Sequence, residues 1–161
     1  LIKKYKPKYN ILLRDDKSYP YIFIDTSHKY PLMKFYRGDK STKKGFFFGP
    51  YTQVSKVRYM LNLLQKLFKI RSCENSFFAN RKKPCIQYQI NRCDAPCVNL
   101  ISTDNYNESI TNSILLLQGK NNPIIDNFTK KMDDLSNEMR YEEASIIRDK
   151  ISLFQSSLII F

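Results

Sequence analysis

No stretch of this chain approaches 18 uninterrupted apolar residues, so nothing in it reads as a membrane-spanning helix. The start, Leu1-Ile2-Lys3-Lys4-Tyr5-Lys6, is too basic and too poor in apolar residues for a signal peptide. A cytoplasmic location with no membrane partner is expected. Histidine is nearly missing: His28 is the single one in 161 residues. Cysteine is absent outside residues 73–97, and within that stretch the C-x2-C pair of a zinc ribbon or a thioredoxin site is absent too. Acidic residues are scarce at first: residues 1–50 hold 12 Lys and Arg against 4 Asp and Glu, and residues 51–100 hold 9 against 2.

What is there begins with those four thiols. Cys73, Cys85, Cys93 and Cys97 follow the spacing C-x11-C-x7-C-x3-C, and their crowding points to one site. In a reducing compartment a disulfide framework is disfavoured, which leaves a metal or a cluster as the natural occupant. Pro84 and Pro96 each precede a cysteine, remove a backbone donor and fix a local turn, as a loop that turns its thiolates inward requires. With His28 far away, four thiolates suit an iron-sulfur cluster or an all-thiolate zinc site equally.

The net charge of +12 is unevenly spread, because residues 101–161 reverse the balance with 6 basic against 9 acidic residues. A basic body on a mildly acidic tail predicts a polyanion as partner for the first hundred residues and a different partner for the last sixty. An ordinary solvated surface is the plainer alternative.

The pattern along the chain predicts an α+β protein. Residues 1–18 read as the end of a preceding domain and a connector. Tyr21-Ile22-Phe23-Ile24-Asp25 and Leu32-Met33-Lys34-Phe35-Tyr36-Arg37 predict a β-hairpin, and Phe46-Phe47-Phe48, stopped by Gly49-Pro50, a third strand. Val57, Leu61, Leu64 and Phe68 mark an amphipathic helix over 52–68, which leads to the cysteine region, so that 19–100 forms one unit. A Ser-Thr-Asp-Asn cluster at 102–105 opens a connecting helix within 101–123, closed by Gly119 and Asn121-Asn122-Pro123. Ile125, Phe128, Met132, Leu135 and Met139, then Ala144, Ile147, Ile151, Phe154 and Leu158, repeat a 3,4 spacing. That double heptad predicts an antiparallel helical hairpin over 124–158 with an apolar side left for a partner. The chain starts at Leu1 and ends in Leu158-Ile159-Ile160-Phe161, so it is expected to be a piece of something longer.

Several runs resemble the UvrC family, the nuclease subunit of the bacterial UvrABC excision-repair system. They are Tyr5-Lys6-Pro7-Lys8-Tyr9-Asn10, Arg14 to Tyr21, Phe48-Gly49-Pro50-Tyr51, Leu61 to Phe68, and Pro84 to Cys97. The resemblance implies an internal fragment. In the family a GIY-YIG nuclease domain, whose tyrosines, arginine and metal-binding glutamate would lie upstream of Leu1, and an RNase H-like domain beyond the far end cut on either side of a DNA lesion. Both steps need Mg2+ in the full-length enzyme, and neither active site is expected here; Asn10 is the one remnant of the first, or a simple turn residue. The resemblance further implies a [4Fe-4S] cluster on Cys73, Cys85, Cys93 and Cys97, with zinc as the alternative. Damaged double-stranded DNA would be met by Arg81, Lys82, Lys83 and Arg92, unless those cations only balance the thiolates. Residues 132–151 resemble the UVR motif that docks on UvrB, with Met139, Tyr141, Ala144, Ile147 and Arg148 as partner-binding residues. Tyr141 and Ser145 depart from the usual Phe and Ala. The second reading, from a different class, is a non-catalytic nucleic-acid-binding or adaptor module with a structural metal site.

Overall fold

The computed structural model describes residues 19–158, so the connector at 1–18 and Asn10 lie outside the described residues. An α+β architecture follows. Three strands, β1 (Tyr21–Asp25), β2 (Leu32–Tyr36) and β3 (Gly45–Phe48), form one antiparallel sheet in the order β2-β1-β3. The hairpin of β1 and β2 forms as predicted, with Phe23 opposite Lys34, while β3 adds to the far edge of β1 and sets Phe47 opposite Phe23. β1 is thus central. Its residues explain this, because they are apolar on both faces: Ile22 and Ile24 enter the main core, while Phe23 is fully buried beneath the rings of Tyr36 and Phe47 on the other side. Gly45 permits the third strand to approach, since a Cβ there would lie 2.1 Å from the Ile24 carbonyl oxygen.

α1 (Val54–Phe68) lays Val57, Met60, Leu64 and Leu67 on the inner face of the sheet. Two short helices follow, α2 (Asn75–Ala79) and α3 (Ile86–Gln89), and then a 3-10 turn over Pro96–Val98. Helix α4 (Thr103–Leu117) starts as predicted: the Ser102 hydroxyl caps it by accepting from the Asn105 N–H at 3.3 Å. It ends at Gly119, whose φ of +76° lets the Gly119 and Lys120 amides turn back onto the Leu116 and Leu115 carbonyls.

The tail is the antiparallel pair α5 (Asn122–Asn137) and α6 (Tyr141–Leu158). The hairpin is joined to the rest of the protein through its base. At its base Ile124 and Phe154 are fully buried in the main core, and the Phe128 ring stacks on Phe68 with centroids 6.2 Å apart. Apolar residues at the start of α5 and the end of α6 thus anchor the base. No helix among the described residues is long and apolar enough to cross a membrane.

Candidate functional site

The last turn of α1 ends on Lys69 in the left-handed conformation (φ 52°), which swings the chain away from the helix axis into the cysteine region. Ile70 and Arg71 then plunge into the core, with Arg71 only 1% exposed. Each of its three guanidinium nitrogens donates a hydrogen bond. Nε donates to the Tyr30 carbonyl at 2.8 Å, Nη1 to the Cys73 carbonyl at 3.0 Å and Nη2 to Asn75 Oδ1 at 2.7 Å, while the group lies 4.6 Å above the Phe78 ring. The Arg71 backbone N–H donates to the Tyr106 hydroxyl at 3.2 Å, which in turn donates to the Pro31 carbonyl at 2.7 Å. One side chain therefore ties the loop between β1 and β2, the first cysteine and α2 together. No carboxylate pairs with it among the described residues.

The rest of the region is built from tight reversals. Asn91, Ala95 and Asn99 all take positive φ, at 57°, 49° and 59°. For asparagine this is inexpensive, whereas a left-handed alanine, here 1% exposed, persists only where its surroundings fix it. The reversals bring the last two cysteines round to the first two.

Cys93 is buried and the other three thiols are half-buried; all four are free. Burial pushes the Cys93 thiol up to about 11, and the charges of Cys73, Cys85 and Cys97 push it the same way, against a hydrogen bond from the Ala95 N–H. Cys97 is raised by burial and by Cys73 and Cys85, with Arg81 opposing. The four sulfurs thus lie within electrostatic reach of one another. Even so, among the described residues no three His, Cys, Asp or Glu side chains are drawn together tightly enough to hold a single metal ion.

Arg81, Lys82 and Lys83 project from the loop between α2 and α3, all exposed. Arg92 does not join them. It is half-buried and donates from Nη1 to Asn62 Oδ1 of α1 at 2.9 Å, so it braces the loop against that helix. Beside the cysteine loop a cavity of about 240 Å³ opens between α1, α4 and the hairpin base, lined by Lys69, Asp94, Glu108, Phe128, Lys131 and Lys150 among others. Lys69 pairs with Asp94 at 3.4 Å, and burial, aided by Lys69 and Lys131, lowers the pKa of Lys150.

The five hairpin residues divide. Met139 and Tyr141 at the tip are 76% and 63% exposed, and Arg148 is exposed beside Asp149, whereas Ala144 and Ile147 are 8% and 9% exposed, in the seam against α5. Sequence reasoning missed Ile146, which is 57% exposed one position outside that seam. It also missed Arg71, for which a lone arginine between Ile70 and the first cysteine was the only signal.

A small antiparallel sheet carrying a thiol-rich loop, with a helical hairpin seated on the same core, defines a multi-part α+β scaffold. The comparisons identify its family. Residues 19–116 match the model of the UvrC/Cho excinuclease middle domain, and residues 124–157 match that of the UvrB/uvrC motif. The chain belongs to the UvrC family. It is similar to UvrABC system protein C of Methylococcus capsulatus, 45% identical over 98% of this chain and 26% of that protein. The corresponding protein of Idiomarina loihiensis is 49% identical over 97% of this chain and 25% of its own length, and that of Hahella chejuensis 50% over 94% and 25%. The chain therefore spans about a quarter of the length of these curated relatives. No solved structure matches it.

Proposed function

We propose that this chain is the central part of a UvrC-type excision-repair nuclease. In that role it carries a [4Fe-4S] cluster on Cys73, Cys85, Cys93 and Cys97, faces damaged duplex DNA through Arg81, Lys82 and Lys83, and docks on UvrB through the tip of the α5/α6 hairpin. The catalytic carboxylates, and the Mg2+ they would hold, belong to other parts of such a nuclease, so this piece positions the substrate and cuts nothing by itself.

The observation that carries the reading is four free thiols within electrostatic reach of one another, on a loop whose first cysteine is held through its carbonyl by the buried Arg71. The hydrogen bond from the Ala95 N–H to Cys93 is of the kind that stabilises cluster-bound sulfur. The four thiols by themselves suit iron-sulfur and zinc equally, and it is the kinship with UvrC that favours iron-sulfur. When bound, the cluster would supply a four-point cross-link to a loop with little regular structure, together with a one-electron centre.

The DNA-facing role rests on charge. From Asn75 to Cys93 the chain has no acidic residue, and the three consecutive cations make no ion pair among the described residues. The UvrB role rests on the match to the UvrB/uvrC motif and on the exposure of Met139, Tyr141 and Ile146 at the far end of the hairpin, away from the docked base. Purification without oxygen tests the central element: brown protein with about four irons per chain is expected. Stoichiometric zinc without iron would overturn the cluster while keeping the site.

A further inference from the structure

Helix α2 carries two adjacent phenylalanines that point opposite ways. Phe78 turns inward, its ring edge-on to His28 with centroids 4.8 Å apart, tilted against Tyr30 at 5.6 Å and beneath the Arg71 guanidinium. With Asn75 also gripped by Arg71 Nη2, the short helix is pinned at both its first and fourth residues. Phe77 points outward and is 62% exposed. A ring so placed contributes nothing to the core, yet the pinned helix fixes the place from which it projects. The Arg81 guanidinium lies 5.9 Å from its centroid, and Lys82 and Lys83 follow directly.

An exposed ring has four ordinary uses: none, a protein contact, a lipid contact, or a base. The surroundings decide among them. Apolar protein surfaces meet rings in settings depleted of charge at the centre, whereas here the ring sits against three consecutive cations in a segment, Asn75 to Cys93, with no acidic residue. A lipid surface would want several exposed apolar groups on the same short helix, and α2 offers Phe77 alone. A rigid π face bordered by phosphate-neutralising cations is what proteins present to unstacked bases. A fully paired duplex keeps its bases stacked inside, so the ring gains a partner only where the duplex is distorted.

We propose that Phe77 is a stacking platform for a base unpaired at a distortion in duplex DNA, with Arg81, Lys82 and Lys83 holding the flanking phosphates. This rests on the DNA-facing reading above and adds discrimination to it. Phosphate contacts hold any duplex alike. The stacked ring would favour the distorted one.

The chain contains no tryptophan, so Phe77→Trp installs a single reporter at the site. The whole chain carrying it is titrated at low salt with a fully paired duplex and with the same duplex bearing a short unpaired bubble. Quenching of the tryptophan emission by the bubble and little by the paired duplex is expected. Phe77→Ala should cut the preference for the bubble roughly tenfold, the effect of losing one stacked base, and leave the salt dependence of binding unchanged. Because the side chain is exposed, both variants should keep the parent circular dichroism. An unquenched tryptophan in a bound complex, or an undiminished preference in Phe77→Ala, overturns the stacking role while leaving the phosphate contacts intact. Loss of affinity for UvrB without change in DNA binding would assign the ring to a protein surface and overturn it as well. Absence of binding to either DNA by the parent chain would sink the DNA-facing reading itself.

Discussion

Replacing Arg71 by methionine keeps the length and packing of the side chain and removes its charge and five donors. Three side-chain hydrogen bonds vanish, to the Tyr30 and Cys73 carbonyls and to Asn75 Oδ1, and two of the three acceptors are backbone groups that then lack this partner in or beside the core. A hydrogen bond to a charged group contributes about 1.5–3 kcal/mol. Against the sum stands the desolvation of a buried guanidinium, no longer required, which returns several kcal/mol. The balance is a loss of about 2–4 kcal/mol, set mainly by the Tyr30 and Cys73 carbonyls left without this donor. For a protein of this size each kcal/mol moves the melting temperature by about 2–4 °C, so a drop of roughly 4–16 °C is expected.

Urea unfolding provides the measurement, with a lowered midpoint at unchanged slope as the sign that stability and not compactness changed. Arg71→Lys separates charge from geometry: an ammonium cannot reach three acceptors spread over Tyr30, Cys73 and Asn75 as a planar fork does, so it should recover only part of the loss. Both variants should also bind less iron, because the Cys73 carbonyl and Asn75 are the grips that present the first thiol. A loss under about 1 kcal/mol for Arg71→Met, with full iron content, would refute the reasoning.

Two further outcomes follow from the same geometry. The metal-free protein should lose stability as pH rises from about 9 to about 11: the unfolded Cys93 thiol ionises near 9.0 while the folded one holds its proton to about 11, so the unfolded state sheds protons first and gains. Thermal melts across that range check it, and Cys93→Ser should flatten the decline. At the hairpin tip Met139 occupies the left-handed position after α5, with φ 61° and its N–H donating to the Ser136 carbonyl at 3.0 Å. Met139→Gly should therefore stabilise the hairpin, by about 0.5–1 kcal/mol once the extra freedom of the unfolded glycine is subtracted from the 1–2 kcal/mol of strain relieved, as a chemical denaturation curve would read it.

How much of this was legible in the sequence depended on the length of each pattern. The strands and the 15-residue and longer helices announce themselves by period, and α4 also by its cap at Ser102. The order of the sheet was legible in principle, because a strand apolar on both faces belongs in the middle, and Tyr21-Ile22-Phe23-Ile24 is such a strand. α2 and α3, with five and four residues, are too short to show a period at all. The hairpin shows the limit of a heptad. It names the residues of a seam without saying what fills the other side, and Ala144 and Ile147 turn out to face α5 within the hairpin. Arg71 had no pattern to reveal it, since a buried arginine is defined by acceptors that are distant in sequence, such as the carbonyl of Tyr30.

The cysteine loop and the hairpin are not independent attachments. Asp94, between the third and fourth cysteines, pairs with Lys69 at the end of α1 and lines the cavity whose opposite wall carries Lys131 of α5 and Lys150 of α6. Lys150 is held there although burial and two neighbouring lysines disfavour its charge, with Asp94 as the attraction that counters them. One carboxylate of the loop therefore acts on a cation at the end of α1 and on one from hairpin helix α6. The interaction is electrostatic and partly buried, so screening by salt weakens it less than it would a surface pair. A change in the position of Asp94 must alter the field at the hairpin base, and a shift of that base must alter the field at the loop. Phe128 and Phe154, anchored in the main core, make the base too rigid to absorb such a change by moving away. The thiol site and the hairpin thus share a charge balance as well as a core, and the far tip with Met139 and Tyr141 is the only end of the hairpin left outside both.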